Sequence, residues 1–415
     1  MTLKGYVNSH LHPVGQGFIA EITLNRPKAL NALSSEMFKE LQRLLFSFKE
    51  REDIYFLFFH SSSTRAFGSG GDVKMVGQEL FKDKESKAIE EFFKLEYKTD
   101  YLLQTYNKPI VAWGDGLLMG GGLGVFNGVS HRVVTPSTLL AMPEVAIGFF
   151  PDVGAGYFLN KKYKELGLFL GLTGARFGAD DALDLDLADY KIEGTKKDEV
   201  FSKLLSETWD IGEEAIREKL SGLLISYVLN PHGNKEKCGQ LLKCEDEIKI
   251  KLQSNDWKEV CEKLLSWKNS GNNWIEQSLG YFKKGSPLSW ALSFRYLKEA
   301  STKNVKDVLL DDLNFAFQFC RGEDFREGVR ALLLDKDQKP NWGFKTIDKI
   351  ENADLDPYFE SIINKTPNEI INQNICDTQY SGFSCGIPPV SALCAIDFNT
   401  KITNKLLKNI LLIIN

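Results

Sequence analysis

Three successive glycines, Gly120 to Gly122, enter a short apolar run that reads as a helix start. Glycine there lets a backbone come close to a ligand and leaves N–H groups free to point at an anion. Downstream, Glu144 and Asp152 interrupt an otherwise apolar passage, AMPEVAIGFFPDVG. A carboxyl among Val145, Ile147, Phe149 and Phe150 is either paired or held at an unusual pKa, a common mark of acid–base or nucleophilic work. Oxyanion donors followed by isolated acids point to acyl chemistry. The same spacing also fits a tight helix–sheet contact followed by two turn acids, because acids beside Gly and Pro are frequent in turns. A second motif, Gly382-Phe383-Ser384-Cys385-Gly386, matches the G-x-S-x-G nucleophile elbow. It lacks the strand before and helix after that the elbow requires, and Pro388-Pro389 follow almost at once. No phosphate loop of the G-x-x-x-x-G-K-[ST] type occurs.

Elements able to hold these residues alternate along the first half of the chain. Residues 18–24 (FIAEITL) read as a half-buried strand, and the turn NRPKALNALS follows. Ser34 or Ser35 then caps a helix whose Met37, Leu41, Leu44, Leu45 and Phe48 share one face. IYFLFFHSS is a continuous apolar run of strand length, buried on both sides in a layered sheet. It enters TRAFGSGGDVKMV, a glycine-rich loop with Asp72 at a helix entry. Residues 86–106 read as a helix carrying Glu90, Glu91 and Glu96, stopped by Asn107-Lys108-Pro109. IVAWGD and SHRVVT resume as strands, so an α/β layered core is predicted. From about residue 196 helical periodicity takes over, and Ser286-Pro287 opens one of these helices with a cap and an N-terminal proline. The last helix before the tail, DFREGVRALLLDKDQKPNW, is expected to stop before Pro340. The organisation expected is a catalytic core over 1–195, a helical region over 196–345 and a tail over 346–415, loosely attached or disordered and without an assigned role.

A net charge of -5 with no basic cluster argues against nucleic acid as the main partner, so an anionic ligand would be met by a few local Lys or Arg groups. No uninterrupted apolar run reaches the length of a membrane span. The seven cysteines (Cys238, Cys244, Cys261, Cys320, Cys376, Cys385 and Cys394) form no C-x-x-C pair, and free thiols in a reducing compartment is the reading. His10 and His12 are followed by no cluster of further ligands and read as solvated loop residues, not a metal site. The N-terminus shows neither a signal peptide nor a transit peptide. As it stands a cytoplasmic chain is expected, with the mitochondrial matrix the alternative if the natural N-terminus is longer.

Four blocks in order carry a family likeness: RPKALNAL at 26–33, AFGSGGDVKM at 66–75, GDGLLMGGGLG at 114–124 and LTGARFGADDALDLDLAD at 172–189. Together they resemble the crotonase, or enoyl-CoA hydratase/isomerase, superfamily. More narrowly, AMPEVAIGFFPDVGAGYFL at 141–159 and CRGEDFREGVRALLLDKDQKPNW at 320–342 are similar to its 3-hydroxyisobutyryl-CoA hydrolase branch. The likeness covers roughly residues 5–345. It implies a crotonase-like ββα spiral core followed by a mainly helical C-terminal region, and a thioester site. By the resemblance, the backbone N–H groups of Gly71 and Gly121 bind the thioester oxygen as it becomes an oxyanion. Where relatives carry CAGGD this chain has GSGGD, and a backbone donor should tolerate Ser69.

The resemblance also separates hydrolase from hydratase. Hydratases of the superfamily place one glutamate two residues after the glycine triplet and another in the following loop. Here the first position is Gly124 and the second Glu144, so the hydratase pair is incomplete, while an acid at Asp152 follows the hydrolase pattern. Glu96 falls on a position that lines the hydrolase pocket, although a helix glutamate is also a common solvated residue. The implied reaction is hydrolysis of 3-hydroxyisobutyryl-CoA, or a close short 3-hydroxyacyl-CoA, as in valine degradation. Glu144 would attack or activate water, and Asp152 and Glu96 would anchor the substrate. The implied CoA contacts are Arg26, Lys28 and Ala29 in the first turn, with Lys336 or Lys339 near the nucleotide phosphates. No cofactor beyond CoA and no metal are expected. A homo-oligomer stays open, as do two other functions: a hydratase or isomerase using Glu144 alone, and a non-catalytic CoA-binding protein.

Overall fold

Strands fall alternately into two sheets, and this alternation builds the core of the computed structural model, which describes residues 5–209, 212–229, 239–267 and 270–361. All of these residues lie in one compact unit, residues 1–371. The larger sheet holds, in spatial order, β1 (Val7–Val14), β2 (Gly17–Leu24), β3 (Ile54–Ser61), β5 (Ile110–Gly114), β7 (His131–Val134) and β10 (Tyr190–Lys191). The smaller holds β4 (Ala66–Gly68), β6 (Leu117–Met119), β8 (Leu139–Ala141) and β9 (Phe177–Gly178). The chain enters the large sheet at β3 and the small one at β4, then repeats the step at β5–β6 and β7–β8. Within each sheet these successive strands pair in parallel. Each turn therefore stacks on the last, which is the ββα spiral expected. The helices that close the turns are α2 (Val73–Lys82) and α3 (Lys87–Gln104) after β4, and α4 (Gly121–Asn127) after β6, while α1 (Ser35–Lys49) precedes β3.

Every residue of β3 is buried, as its unbroken apolar run requires. The strand over 18–24 is more buried than expected. Ala20, Ile22 and Leu24 enter the main core, and Ile19, on the other face, joins a second cluster with Val200, Leu204, Leu220 and Leu224. Helices Lys197–Ser206 and Glu213–Ile225 thus cover the face that alternation alone had assigned to solvent. One further strand, β1, pairs antiparallel with β2 across Gly15-Gln16. Pro13 and the polar run Asn8–His12 hid it, and its edge position tolerates both.

His10 and His12, read as loop residues, are instead in β1 of this sheet, and His60 is in β3 as its apolar run implies. His12 and His60 each place Nε2 2.8 Å from the carboxylate of Glu21, and Thr23 Oγ1 stands 3.2 Å from His60 Nε2. Their hydrogen bonds, that of His60 foremost, hold the Glu21 carboxyl down at about 2 against the cost of burial. A depressed acid stabilises the fold above its unfolded pKa and loses that effect as pH falls through the folded one. Glu21→Gln is therefore expected to melt a few degrees below the parent at pH 6. The gap should narrow as pH drops from about 4.5 toward 2. A constant gap across a calorimetric pH series would count against the ionic role. Among the described residues no group of histidine, cysteine and acid side chains is arranged to hold a metal.

Residues 346–361, expected as the start of a loosely attached tail, are in fact packed. Ile347, Ile350 and Leu355 are buried in the main core, and Arg295 stacks 3.9 Å from the Phe359 ring centre. Their apolar spacing over only one short helix, Asn352–Phe359, was too brief to stand out. The rest of the tail, with the Gly382–Gly386 motif, lies outside the described residues, as do Cys238, Cys376, Cys385 and Cys394. Cys244, Cys261 and Cys320 are free and buried. No described helix is long and apolar enough to cross a membrane.

Candidate active site

The turn after β4 is built by one isolated bridge. Leu33 N–H donates to Gly70 O (2.9 Å), and Asp72 N–H donates to Leu33 O (2.8 Å). A bridge of this kind uses the groups on either side of Gly71, so the N–H of Gly71 itself turns away from Leu33. Asp72 then caps α2, accepting from Met75 N–H (3.3 Å). Gly121 is the first residue of α4, and its N–H has no acceptor inside that helix. The two amides are neighbours: the Gly71 nitrogen lies 3.1 Å from where a Cβ on Gly121 would stand.

The three glycines of the triplet are each needed for a different reason. Gly120 sits at φ +47°, ψ −126°, a region closed to residues with a Cβ, and a Cβ there would stand 2.6 Å from Glu144 Oε1. A Cβ on Gly121 would collide with Glu96 Oε1, and one on Gly122 with the backbone of Gly68. The close helix–sheet contact expected of this stretch is present at one of the three glycines. Gly122 makes a close helix–sheet contact, while Gly120 and Gly121 leave room for two carboxyl groups.

Those carboxyl groups come from different elements. Glu144 opens a single 3-10 turn, Glu144–Ile147, just after β8 and Pro143. The helical region grips this turn, with Ser286 N–H donating to Val145 O (3.1 Å). Glu144 is 8% exposed, and its Oε2 is buried without a partner. Glu96 comes from α3 and is 2% exposed, so it is not a solvated helix glutamate. Its Oε1 lies 3.2 Å from where a Cβ on Gly71 would stand. Asp152, 5% exposed, accepts from Tyr97 Oη at 2.7 Å. Burial pushes the carboxyls of Glu96 and Glu144 well above the usual range, and the charge of Asp152 pushes each further. Asp152 is raised to about 7 by burial, although its bond from Tyr97 opposes the rise. Two N–H donors beside carboxyl groups that burial makes reluctant to ionise can stabilise an oxyanion and move a proton to or from it.

A model of the enoyl-CoA hydratase/isomerase family matches residues 19–359. The chain belongs to that family. It is 34% identical over 355 residues to the 3-hydroxyisobutyryl-CoA hydrolase, mitochondrial, of Gallus gallus, covering 84% of this chain and 88% of that protein. The human protein of the same name is 33% identical, covering 84% and 87%. Among solved structures, a carnitinyl-CoA dehydratase from Mycobacterium thermoresistibile matches with a TM-score of 0.76 at 25% identity, covering 87% of this chain and 98% of that one. An enoyl-CoA hydratase from Rhodobacter sphaeroides matches with a TM-score of 0.73 at 26% identity, covering 85% and 97%.

The residues expected at CoA have different surroundings. Lys28 is exposed and Ala29 half-buried, its carbonyl accepting from Ser69 Oγ (3.4 Å). The Arg26 guanidinium is engaged, donating to Asp72 Oδ2 (2.7 Å) and Ala32 O (2.8 Å), and it fixes the first turn onto the Gly71 loop. Lys336 and Lys339 are exposed on a loop organised by Arg330, which binds Glu327, Asp335 and Asp337. That loop follows helix Glu323–Val329, whose Val329 packs on Gly77 of α2. The helix after residue 320 ends earlier than expected, passing into a π turn at Arg330–Leu334.

Sequence reasoning missed four buried polar groups around Asp152. Tyr97 and Asp100 sit on α3, Tyr97 directly after Glu96 and Asp100 one turn further along. Asp312 and Tyr296 come from helices Val305–Arg321 and Pro287–Ala300. Asp100 is 2% exposed and neither carboxyl oxygen has a partner. The available signal was phase: Ile89, Phe92, Phe93, Glu96, Tyr97, Asp100 and Leu103 recur at helical spacing, and all are buried.

Proposed function

We propose that this chain hydrolyses 3-hydroxyisobutyryl-CoA, or a close short 3-hydroxyacyl-CoA, to the free hydroxy acid and CoA. The observation that supports this is that the Gly71 and Gly121 amides are neighbours, with Glu96 beside both and Glu144, which has an oxygen without a partner, beside the adjoining Gly120. In this reading the thioester oxygen would lie between the two amides and Glu144 would act at its carbonyl carbon. Its carboxylate either attacks that carbon, giving a mixed anhydride that water then opens, or takes a proton from a water that attacks instead. In both routes the C–S bond breaks and CoA leaves as thiolate, which is then protonated. Asp152 and Glu96 would anchor the substrate hydroxyl or orient the water. Single turnover in ¹⁸O-water leaves label in Glu144 when the anhydride is opened at the glutamyl carbon, and hydroxylamine trapping of the acyl-enzyme detects the anhydride whichever carbon water attacks.

Residues 1–195 would carry the chemistry and residues 196–345 complete the acyl-CoA site, with Arg26, Lys28 and Ala29 of the first turn binding CoA and Lys336 or Lys339 near its nucleotide phosphates. No cofactor beyond the CoA of the substrate is needed. The cytoplasmic setting expected from the first residues stays a proposal beside the mitochondrial relatives, tested by locating the tagged full chain. A hydratase with two glutamates is disfavoured, because a Cβ at position 124 would stand 2.6 Å from Val153 Cβ. Thiol trapping on a panel of short acyl-CoAs tests the reading. Hydration or isomerisation without thiol release would replace it by the hydratase reading, and no turnover of any thioester by the binding-protein reading.

The charge of Asp152 is one of the two causes that raise Glu144, so its removal should lower the pH at which Glu144 ionises. A group that works ionised gives a rate that climbs with pH through its pKa. Asp152→Asn is therefore expected to shift the acid limb of kcat/KM downward by about one pH unit while lowering the plateau roughly tenfold or more. The two acids titrate as a pair, so the limb belongs to both. An unmoved limb would remove Asp152 from the site.

A further inference from the structure

Val153, next to Asp152, is a β-branched residue at φ +53°. That conformation is an outlier for such a side chain and costs on the order of 1–3 kcal/mol unless its surroundings enforce it. The surroundings are specific. On one side the Val153 side chain fills the space left by Gly124 of α4. On the other, Gly154 N–H donates to Asp312 Oδ2 at 2.7 Å, while Tyr296 Oη donates to Asp312 Oδ1. Asp312 is fully buried and Tyr296 nearly so. Tyr97 meanwhile holds Asp152 itself through Oδ2. Three separate helices thus fix three consecutive residues.

We propose that Asp312 is a positioning residue: through Gly154 N–H it clamps the strained Val153 turn and so aims the Asp152 carboxyl at the Gly71–Gly121–Glu144 site. This rests on the reading of Asp152 as a site residue. The clamp works by accepting a hydrogen bond, not by charge. Asn can do the same, its oxygen accepting from Gly154 N–H and its amide donating to the Tyr296 oxygen. Leu has a similar volume and offers nothing to either. The titratable groups whose charges interact with that of Asp152 are Glu96, Tyr97 and Asp100 on α3, Glu144 on its turn and Asp312 on helix Val305–Arg321, with Tyr296 behind Asp312.

The test compares Asp312→Leu, Asp312→Asn, Val153→Gly and Asp152→Asn in the full chain, by steady-state thioester hydrolysis and thermal melting. Asp312→Leu is expected to lose roughly 100-fold in kcat with KM changed less than about threefold, the signature of a misplaced group and not of a weakened binding surface. Asp312→Asn should stay within about threefold of the parent. Val153→Gly removes the strain and the wedge together, so it should remain folded and lose about tenfold in kcat. Parent-like kcat in both Asp312→Leu and Val153→Gly, beside an impaired Asp152→Asn, would overturn the clamp. An Asp312→Leu that fails to fold shifts the decision to Val153→Gly alone. If Asp152→Asn is itself unimpaired, the reading of the site fails and the clamp with it.

Discussion

Glu144→Gln is expected to lower thiol release from 3-hydroxyisobutyryl-CoA by about 10³-fold while leaving the protein folded. The amide matches the carboxyl in shape and keeps its contact with Gly120, but it neither attacks a carbonyl nor takes a proton at neutral pH. Folding should not suffer. Glu144 Oε2 is buried with no partner, and its carboxyl is pushed up by burial, so the charged form is a cost to the fold rather than a support. Removing a buried ionisable group that has no counter-charge is neutral or stabilising in this situation. The signature sought is therefore an equal or higher melting temperature above pH 7 together with lost turnover. Activity within tenfold of the parent would exclude Glu144 as base or nucleophile and move the chemistry to Asp152 or Glu96.

Gly121→Ala is the second large effect, expected at about 10²–10³-fold in kcat. Gly121 lies at the first position of α4 and has no positive φ, so alanine suits the backbone and favours the helix by up to about 1 kcal/mol. The lesion is local. The new methyl would meet Glu96 Oε1 and stand 3.1 Å from the Gly71 nitrogen, which puts it in the space between the two amides. Circular dichroism should be unchanged, and both kcat and the affinity for an oxyanion-mimicking inhibitor should fall together. If only KM rises, the amides hold the ground-state substrate and contribute nothing specific to the reaction step.

How far the site could be read in advance depended on what kind of signal each residue leaves. Gly120 and Gly121 announce themselves, because a run of glycines entering a helix is costly without a reason. Glu144 and Asp152 stood out as acids in apolar surroundings. Glu96 did not stand out on its own, lying between Glu90 and Glu91 on one side and Asp100 on the other; only the family likeness singled it out. Its burial follows from phase, since it shares a face with Phe92 and Phe93 while Glu91 is exposed. Asp312 follows the same rule with Leu309, Leu313 and Ala316. The partners of these acids are separated from them by up to 158 residues, as Gly154 is from Asp312, and no local pattern encodes such a contact. Short strands were similarly hidden: β6, β8 and β9 have two or three residues each, too few to show alternation. The spiral was expected from the family likeness alone, and the residues by themselves did not show it, because it rests on the parallel pairing of those fragments.

The wedge of Val153 into the hollow at Gly124 makes these two positions exclusive occupants of one volume. A larger side chain at position 124 would have to be accompanied by a smaller one at 153, since the valine already occupies the place its first carbon would take. Either exchange alone disturbs the packing, one by overfilling the space and the other by emptying it, so a double-mutant cycle across the pair is expected to show a coupling energy that the two single exchanges do not predict.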